Sequence, residues 1–157
     1  MQTIRPAAPA DAPLIHALIG ELADYERLGH ESVATLEDIS NALFGPTPRV
    51  FCDIAEADGV PAGFALWFYT FSTFRGRHGI YLEDLFVRPA FRGAGLGKAM
   101  IAGLARRCAE QSLARLEWAV LDWNAPSIAF YESLGARPVA GWTVYRLTGE
   151  ALDAAAG

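Results

Sequence analysis

The chain has 157 residues, of which 52% are hydrophobic and 20% are charged, and its formal net charge is −5. This composition predicts one soluble globular domain over residues 1–157 and excludes a disordered chain. The negative charge argues against nucleic acid as a partner, because that binding depends on clustered Lys and Arg, but it suits a cationic ligand. No apolar run is long enough to span a membrane, and the first residues lack the pattern of a signal peptide.

The two cysteines, Cys52 and Cys108, are isolated in the sequence. Neither belongs to a Cys-x-x-Cys pair, and no His lies nearby at the spacing of metal ligands. We therefore expect buried thiols rather than nucleophiles, no metal site, and a reducing cytoplasmic location.

Hydrophobic periodicity and turn residues in the first half of the chain predict an edge strand, two helices and a hairpin. The apolar spacing from Leu14 to Tyr25 is that of a core-facing helix, and Thr35 with Asp38 resembles a capping box. Asp58-Gly59 is a typical hairpin turn. The expected ranges are Gln2–Arg5 for the edge strand, 11–28 and 35–44 for the helices, and Val50–Ala57 and Gly63–Phe71 for the hairpin strands.

The second half of the chain predicts a strand, a helix, a further strand and helix, and one or two closing strands. We expect a loop at Ser72–Gly79 and a frayed Ala-rich tail at Ala151–Gly157. The expected elements are a strand at Tyr81–Val87 buried on both faces, a helix at 95–111, a strand at Arg115–Leu121, a helix from Asn124 or Ser127 to Gly135, and closing strands at Val139 and Trp142–Leu147. This order predicts an α/β fold with a mixed central sheet flanked by helices.

A glycine-rich turn, Arg92–Gly97, joins the strand at Tyr81–Val87 to an amphipathic helix. Unpaired N–H groups and the helix dipole make such a helix start an anion site. A Walker A loop would need glycine at position 92 and a hydroxyl at position 99, where the chain has Arg92 and Ala99. A dinucleotide-binding loop would need the pattern Gly-x-Gly-x-x-Gly, which glycines at positions 93, 95 and 97 do not fit. The alternative to an anion site is a glycine-rich turn that binds no ligand.

Arg92, Gly95 and Gly97 fit the pattern Arg/Gln-x-x-Gly-x-Gly/Ala, which resembles the acetyl-CoA pyrophosphate loop of the GNAT superfamily of N-acetyltransferases. Other stretches are similar to the superfamily's opening residues, central strand and closing motif: Ile4–Ala7, Tyr81–Val87 and Trp123–Ala136. Residues 22–26, 81–84 and 123–127 resemble, more narrowly, the diamine N-acetyltransferases, which include the spermidine/spermine and thialysine enzymes. The resemblance covers nearly the whole chain and implies a single-domain GNAT fold, acetyl-CoA as cosubstrate and a homodimer.

The resemblance implies a cofactor site made of three stretches. The loop backbone would hold the pyrophosphate, and backbone groups of the splayed central strand and the Asn124 side chain would bind the pantetheine arm. The implied cofactor-binding residues are Leu85, Phe86, Val87, Arg92, Gly93, Ala94, Gly95, Leu96, Gly97, Lys98, Asn124 and Tyr131. As alternatives, Lys98 is a solvated first-turn lysine and Asn124 is a helix N-cap, a role compatible with binding.

Direct transfer of acetyl to an amine needs a base for the ammonium ion and an acid for the leaving thiolate. By the resemblance, Glu83 draws the amine proton, through water, and Tyr131 protonates the thiolate. Strand alternation predicts that Glu83 and Asp84 point to opposite faces. As alternatives, Tyr131 is a buried core residue, and the carboxylates are paired with arginine. The candidate partners are Arg75, Arg77 and Arg92.

The amine pocket implied by the resemblance carries carboxylates and aromatic rings. Its residues are Tyr25, Glu26, Glu83, Asp84 and Trp142. A core role for Tyr25 and a solvated Glu26 are the alternatives. The acidic residues that precede the tryptophan in spermidine enzymes are here Val139 and Ala140, which favours a shorter amine than a long polyamine.

The sequence therefore predicts an acetyl-CoA-dependent N-acetyltransferase that acts by direct transfer, without metal. Its substrate would be a primary amine of a diamine, a polyamine or a thialysine-like amino acid. Two alternatives stay open, an acetyltransferase for protein or peptide amines and a non-catalytic acyl-CoA-binding module.

Overall fold

The computed structural model describes residues Met1–Gly157, which form two compact units, Met1–Leu121 and Asp122–Gly157. The expectation of one domain over 1–157 stays a prediction. The elements of the first unit are β1 (Gln2–Pro6), α1 (Ala12–Tyr25), α2 (Leu36–Phe44), β2 (Phe51–Ala57), β3 (Val60–Ser72), β4 (Arg77–Val87), α3 (Leu96–Glu110) and β5 (Leu116–Glu117). The second unit contains α4 (Ala125–Ser133) and α5 (Gly149–Ala156).

The first unit is built on a five-stranded sheet with the strand order β1-β2-β3-β4-β5. The first four strands are antiparallel, whereas β4 and β5 are parallel, so the predicted mixed sheet flanked by helices is confirmed. The pairing of β4 with β5 ends at Tyr81. Leu85–Val87 therefore pair with β3 on one side and with no strand on the β5 side. The splay expected beside the pantetheine arm stays a prediction.

Helices cover both faces of the sheet. The main core forms where α1 and α2 pack on β2, β3 and β4, and its residues are Ile15, Leu18, Leu22, Leu43, Cys52, Ile54, Phe64, Leu66 and Phe86. Asp53, which lies between two of these core residues, instead pairs with Arg107 of α3. Because neighbouring side chains of a strand point to opposite faces, α3 covers the other face.

Helix α1 is shorter than expected, ending at Tyr25 rather than near residue 28. The reason is that Arg27 adopts a positive φ of 61°, which an α-helix cannot contain. The early end places Glu26 directly after the last helical residue. At the other end, the Asp11 side chain makes no helix cap and instead binds Arg5, which is the main reason that the pKa of Asp11 is lowered.

The hairpin of β3 and β4 is longer than expected. Pairs from Thr70 with Gly79 to Ser72 with Arg77 extend the ladder, so the second half of the expected loop at Ser72–Gly79 is strand. Only residues 73–76 form the turn. Strand β4 is not buried on both faces throughout, because Glu83 is exposed.

The expected closing strands are wrong, and β5 has two residues rather than the seven of Arg115–Leu121. Trp142, Val144 and Tyr145 belong to no strand and are 79%, 88% and 92% exposed. These apolar residues suggested a strand, but a strand is stable only when a neighbour satisfies its backbone hydrogen bonds. The tail forms α5 rather than fraying, as its alanine content favours. None of the helices is long and apolar enough to cross a membrane.

Candidate active site

The glycine loop has a backbone that only glycine adopts readily. Gly93 and Gly95 have φ values of 80° and 87°, and Gly95 immediately precedes α3. A Cβ atom built on either residue would meet nothing within 4 Å, so the space beside the loop is open. The positive φ values, rather than crowding, explain why glycine stands at both positions.

The start of α3 presents unpaired backbone donors. The N–H group of Ala99 binds the Gly95 oxygen at 2.9 Å, which is the first bond of the helix. The N–H groups of Leu96, Gly97 and Lys98 therefore have no acceptor inside α3. The Lys98 side chain is exposed beside them. Open glycines followed by free donors and a positive helix end fit an anion such as the pyrophosphate of acetyl-CoA.

Arg92, the first residue of the loop, turns its side chain back toward the sheet. Its Nε–H group donates to the Val87 oxygen at 2.8 Å. Its guanidinium carbon lies 4.9 Å from the centre of the Tyr25 ring and 5.5 Å from that of Phe86. Arg92 thus connects the loop to the ends of β4 and α1 through its side chain.

Three carboxylates that interact electrostatically, Glu26, Glu83 and Asp84, form what we call the acidic cluster. In the β3–β4 ladder Leu66 pairs with Asp84 and Trp67 pairs with Leu82, so Glu83 is an extra residue in a β-bulge. A bulge interrupts strand alternation, so the expected opposite orientation of Glu83 and Asp84 does not follow here.

Burial and repulsion from neighbouring carboxylates raise the pKa values of Asp84 and Glu26. Burial first, and then the charges of Glu83 and Glu26, raise the pKa of Asp84 to about 7. Burial and the Glu83 charge also raise the pKa of Glu26. The concentrated negative charge suits a cationic ligand, and a carboxylate with a pKa near neutral suits proton transfer.

No arginine neutralises the exposed Glu83. Arg75 and Arg77 form no ion pair, and Arg92 lies over aromatic rings instead. The alternative of a structural ion pair for Glu83 is therefore wrong.

Two long-range contacts, one at the glycine loop and one directly after β4, were not apparent from the sequence. The Gln2 side chain donates from Nε2 to the Ala94 oxygen at 2.7 Å, across 92 positions of the chain. Arg88, directly after β4, forms an ion pair with Glu21 of α1 at 2.8 Å. Both contacts join elements that only the folded sheet brings together, so no local pattern could have indicated them.

The remaining candidates lie in the second unit. Asn124 is 4% exposed, and its side chain accepts from the Ser127 N–H group at 3.3 Å, which confirms it as the N-cap of α4. Tyr131 is half-buried, with its ring 5.4 Å from that of Phe130. Trp142 is 79% exposed. The binding and catalytic roles expected of these residues stay predictions.

The chain holds no cluster of three or more His, Cys, Asp or Glu side chains that could bind a metal ion. Cys52 is buried, as expected, and burial raises the pKa of its thiol well above the usual range. Cys108 is only half-buried, and burial raises its pKa as well. Neither thiol is therefore readily ionised, as a nucleophile would need to be.

The sequence profile described as the acetyltransferase (GNAT) family matches residues 15–136. The chain is 38% identical to thialysine N-epsilon-acetyltransferase of Bos taurus, over 98% of this chain and 96% of that protein. It is 33% identical to L-ornithine N5-acetyltransferase NATA1 of Arabidopsis thaliana, over 96% of this chain and 86% of that protein.

Among solved structures, an integron cassette protein of V. cholerae aligns with a TM-score of 0.83 and 26% identity, covering 99% of this chain and 97% of that one. An aminoglycoside acetyltransferase from a soil metagenome aligns with a TM-score of 0.77 and 17% identity, covering 94% and 97%. The second match concerns the fold alone.

Proposed function

The chain belongs to the GNAT family of acetyltransferases, and we propose that it transfers acetyl from acetyl-CoA to a primary amine of a small cationic substrate. A short diamine or an amino acid with a side-chain amine, as in thialysine, is the substrate class that we favour. The observation that carries this proposal is the acidic cluster, one member of which directly follows a residue in contact with the glycine loop. Glu26 of the cluster directly follows Tyr25, and the guanidinium group of Arg92 in the loop lies over the Tyr25 ring.

The first unit provides a fitting place for acetyl-CoA, which would supply the acetyl group as a thioester. The N–H groups of Leu96, Gly97 and Lys98 would bind the pyrophosphate, as would the loop residues Arg92–Gly95 through their backbone. Leu85–Val87 have no strand partner on the β5 side. The Val87 oxygen already accepts from Arg92, so the other backbone groups on that side are the ones available for the pantetheine arm.

The acidic cluster would bind the substrate as a cation and take its proton. An aliphatic amine is protonated at neutral pH and cannot attack a carbonyl until it loses a proton. Glu83 is the base expected from the sequence, and Asp84, with a pKa of about 7, is well matched to accept a proton at neutral pH. We propose that these two carboxylates share the proton.

Tyr131 would complete the proton balance by donating to the leaving thiolate, because a phenol keeps its proton at neutral pH. The amine would attack the thioester directly. The raised pKa values of the Cys52 and Cys108 thiols support this route over an acetyl-cysteine intermediate. The homodimer and the cytoplasmic location implied by the sequence belong to the same proposal, and analytical ultracentrifugation would test the homodimer.

The relatives support the short substrate. The thialysine and ornithine enzymes are both named for amino acids acetylated at a side-chain nitrogen. Val139 and Ala140, which replace the acidic residues expected of a spermidine enzyme, also favour a short substrate.

The proposal is tested by measuring thiol release from acetyl-CoA with a panel of amines. The panel contains thialysine, ornithine, lysine, putrescine, spermidine, spermine and short peptides. We expect the highest kcat/KM with a short diamine or one of the amino acids. Activity on peptides alone would overturn the substrate class, and CoA binding without turnover on any amine would favour the acyl-CoA-binding module.

A charge-neutral variant tests the role of the acidic cluster. Glu26→Gln should raise the KM for the best amine roughly tenfold, because a carboxylate next to a bound cation is lost, and should leave the KM for acetyl-CoA unchanged. Glu110→Gln, at the exposed end of α3, is the matched control and should change neither value.

A further inference from the structure

We propose that Gln2 is a positioning residue for the acetyl-CoA site, acting on the bound pyrophosphate through the backbone of Ala94. This inference depends on the proposed use of acetyl-CoA. Its basis is the 2.7 Å hydrogen bond from Gln2 Nε2 to the Ala94 oxygen. No motif of the sequence marks Gln2, which lies at the first position of the edge strand β1.

The backbone around Gln2 is fixed, which makes the side chain an effective support. Gln2 pairs with Ala57 of β2. Just before it, the Met1 oxygen accepts a hydrogen bond from the Asp58 N–H group at 2.8 Å. The amide of Gln2 thus extends from the anchored strand β1 to the loop.

The loop needs such a support because its central peptide group can rotate. Ala94 lies between Gly93 and Gly95, both of which have positive φ values. Glycine populates positive and negative φ about equally, so the peptide planes on either side of Ala94 are weakly determined by the chain itself. A hydrogen bond at the Ala94 oxygen favours one of these orientations.

Fixing the Ala94 oxygen also fixes a donor. The Ala94 carbonyl and the Gly95 N–H group belong to one planar trans peptide, so they point in opposite directions. The Gly95 N–H group has no acceptor within the chain. With the carbonyl held by Gln2, this N–H points away from β1 and joins the three free donors at the start of α3. Gln2 thereby pre-organises a fourth donor for the pyrophosphate.

The test compares two acetyl donors with and without a pyrophosphate, acetyl-CoA and S-acetylpantetheine. Gln2→Ala should raise the KM for acetyl-CoA roughly three- to tenfold, the range expected for one hydrogen bond, and leave kcat unchanged. With S-acetylpantetheine, kcat/KM should equal that of the wild type. Gln2→Glu, whose side chain cannot donate and repels the Ala94 carbonyl, should raise the KM for acetyl-CoA more than Gln2→Ala does. The dissociation constant of CoA, measured by calorimetry, should rise in parallel.

Gln111→Ala is the matched control, because Gln111 is another exposed glutamine whose side chain binds Tyr69 at 2.9 Å, away from the loop. It should change neither donor's kinetics. An equal loss with both donors in Gln2→Ala, or no change in CoA affinity, would overturn the role of Gln2. Failure of the wild type to bind CoA would overturn the proposed function itself, and the inference with it.

Discussion

The guanidinium group of Arg92 lies over the ring of Tyr25, with 4.9 Å between its central carbon and the ring centre. The same side chain donates to the Val87 oxygen at 2.8 Å. One side chain thus joins the first residue of the glycine loop to the last residue of α1 and the last residue of β4. Because the loop is proposed to bind acetyl-CoA and Tyr25 to border the amine, we expect Arg92 to couple the two substrates.

The first prediction concerns Arg92→Lys. Lysine keeps the charge, but it lacks the planar guanidinium that both stacks on an aromatic ring and donates from a fixed position. We expect the KM values for acetyl-CoA and for the amine each to rise about three- to tenfold, as for loss of a contact worth about 1 kcal/mol. Initial rates with each substrate varied in turn measure this. Arg106→Lys, at an exposed arginine of α3, is the control, and a rise in only one KM would contradict the coupling.

The second prediction concerns the pH dependence of kcat/KM. The pKa of Asp84 is about 7, so protonation of this carboxylate below that pH would remove the proton acceptor. We therefore expect kcat/KM to fall below about pH 7, tenfold per pH unit well below it. Asp84→Asn should lower the rate and abolish this limb, and a limb retained near pH 7 in that variant would exclude Asp84.

The variant Glu83→Gln distinguishes the roles of Glu83 and Asp84, the two carboxylates at the bulge. The negative charge of Glu83 is one reason why the pKa of Asp84 is raised, so removing that charge lowers the pKa of Asp84. The acidic limb should then move to lower pH rather than vanish, although the apparent value belongs to the coupled cluster. Loss of the whole limb in Glu83→Gln, with retention in Asp84→Asn, would identify Glu83 as the sole base.

Local patterns were sufficient for the parts of the fold that are determined locally. The Thr35–Asp38 capping box is present, with bonds of 2.8 and 3.1 Å, because both partners lie within one helical turn. The glycine loop was likewise found from its spacing, since Gly93 and Gly95 supply backbone conformations that other residues rarely adopt.

Features that depend on distant pairing could not be found in this way. The bulge at Glu83 arises from the register of β4 against β3, and the Gln2–Ala94 contact from the position of β1. At Trp142–Leu147 the sequence predicted a strand that the structure does not have, because apolar residues indicate a strand only if a neighbouring strand is available to pair with it.

The third prediction concerns Tyr131→Phe, which removes the proposed acid and keeps the ring. A general acid typically contributes about 100-fold or more, so kcat should fall by at least that order. The dissociation constant of CoA should change little. Tyr145→Phe is the control, because Tyr145 is 92% exposed. Unchanged turnover in Tyr131→Phe would remove Tyr131 as the acid.

The fourth prediction compares two glycines beside which a Cβ atom would meet nothing within 4 Å, Gly95 at φ 87° and Gly20 inside α1. Gly95→Ala forces a side chain into the left-handed region and should lower the free energy of unfolding by roughly 1 kcal/mol. Gly20→Ala should raise it by about 0.5–1 kcal/mol, because alanine loses less entropy in a helix. Only Gly95→Ala should weaken CoA binding, since its methyl group would enter the open space beside the loop. Thermal unfolding and calorimetry measure both effects, and equal CoA affinity in the two variants would mean that the pyrophosphate does not approach the loop at Gly95.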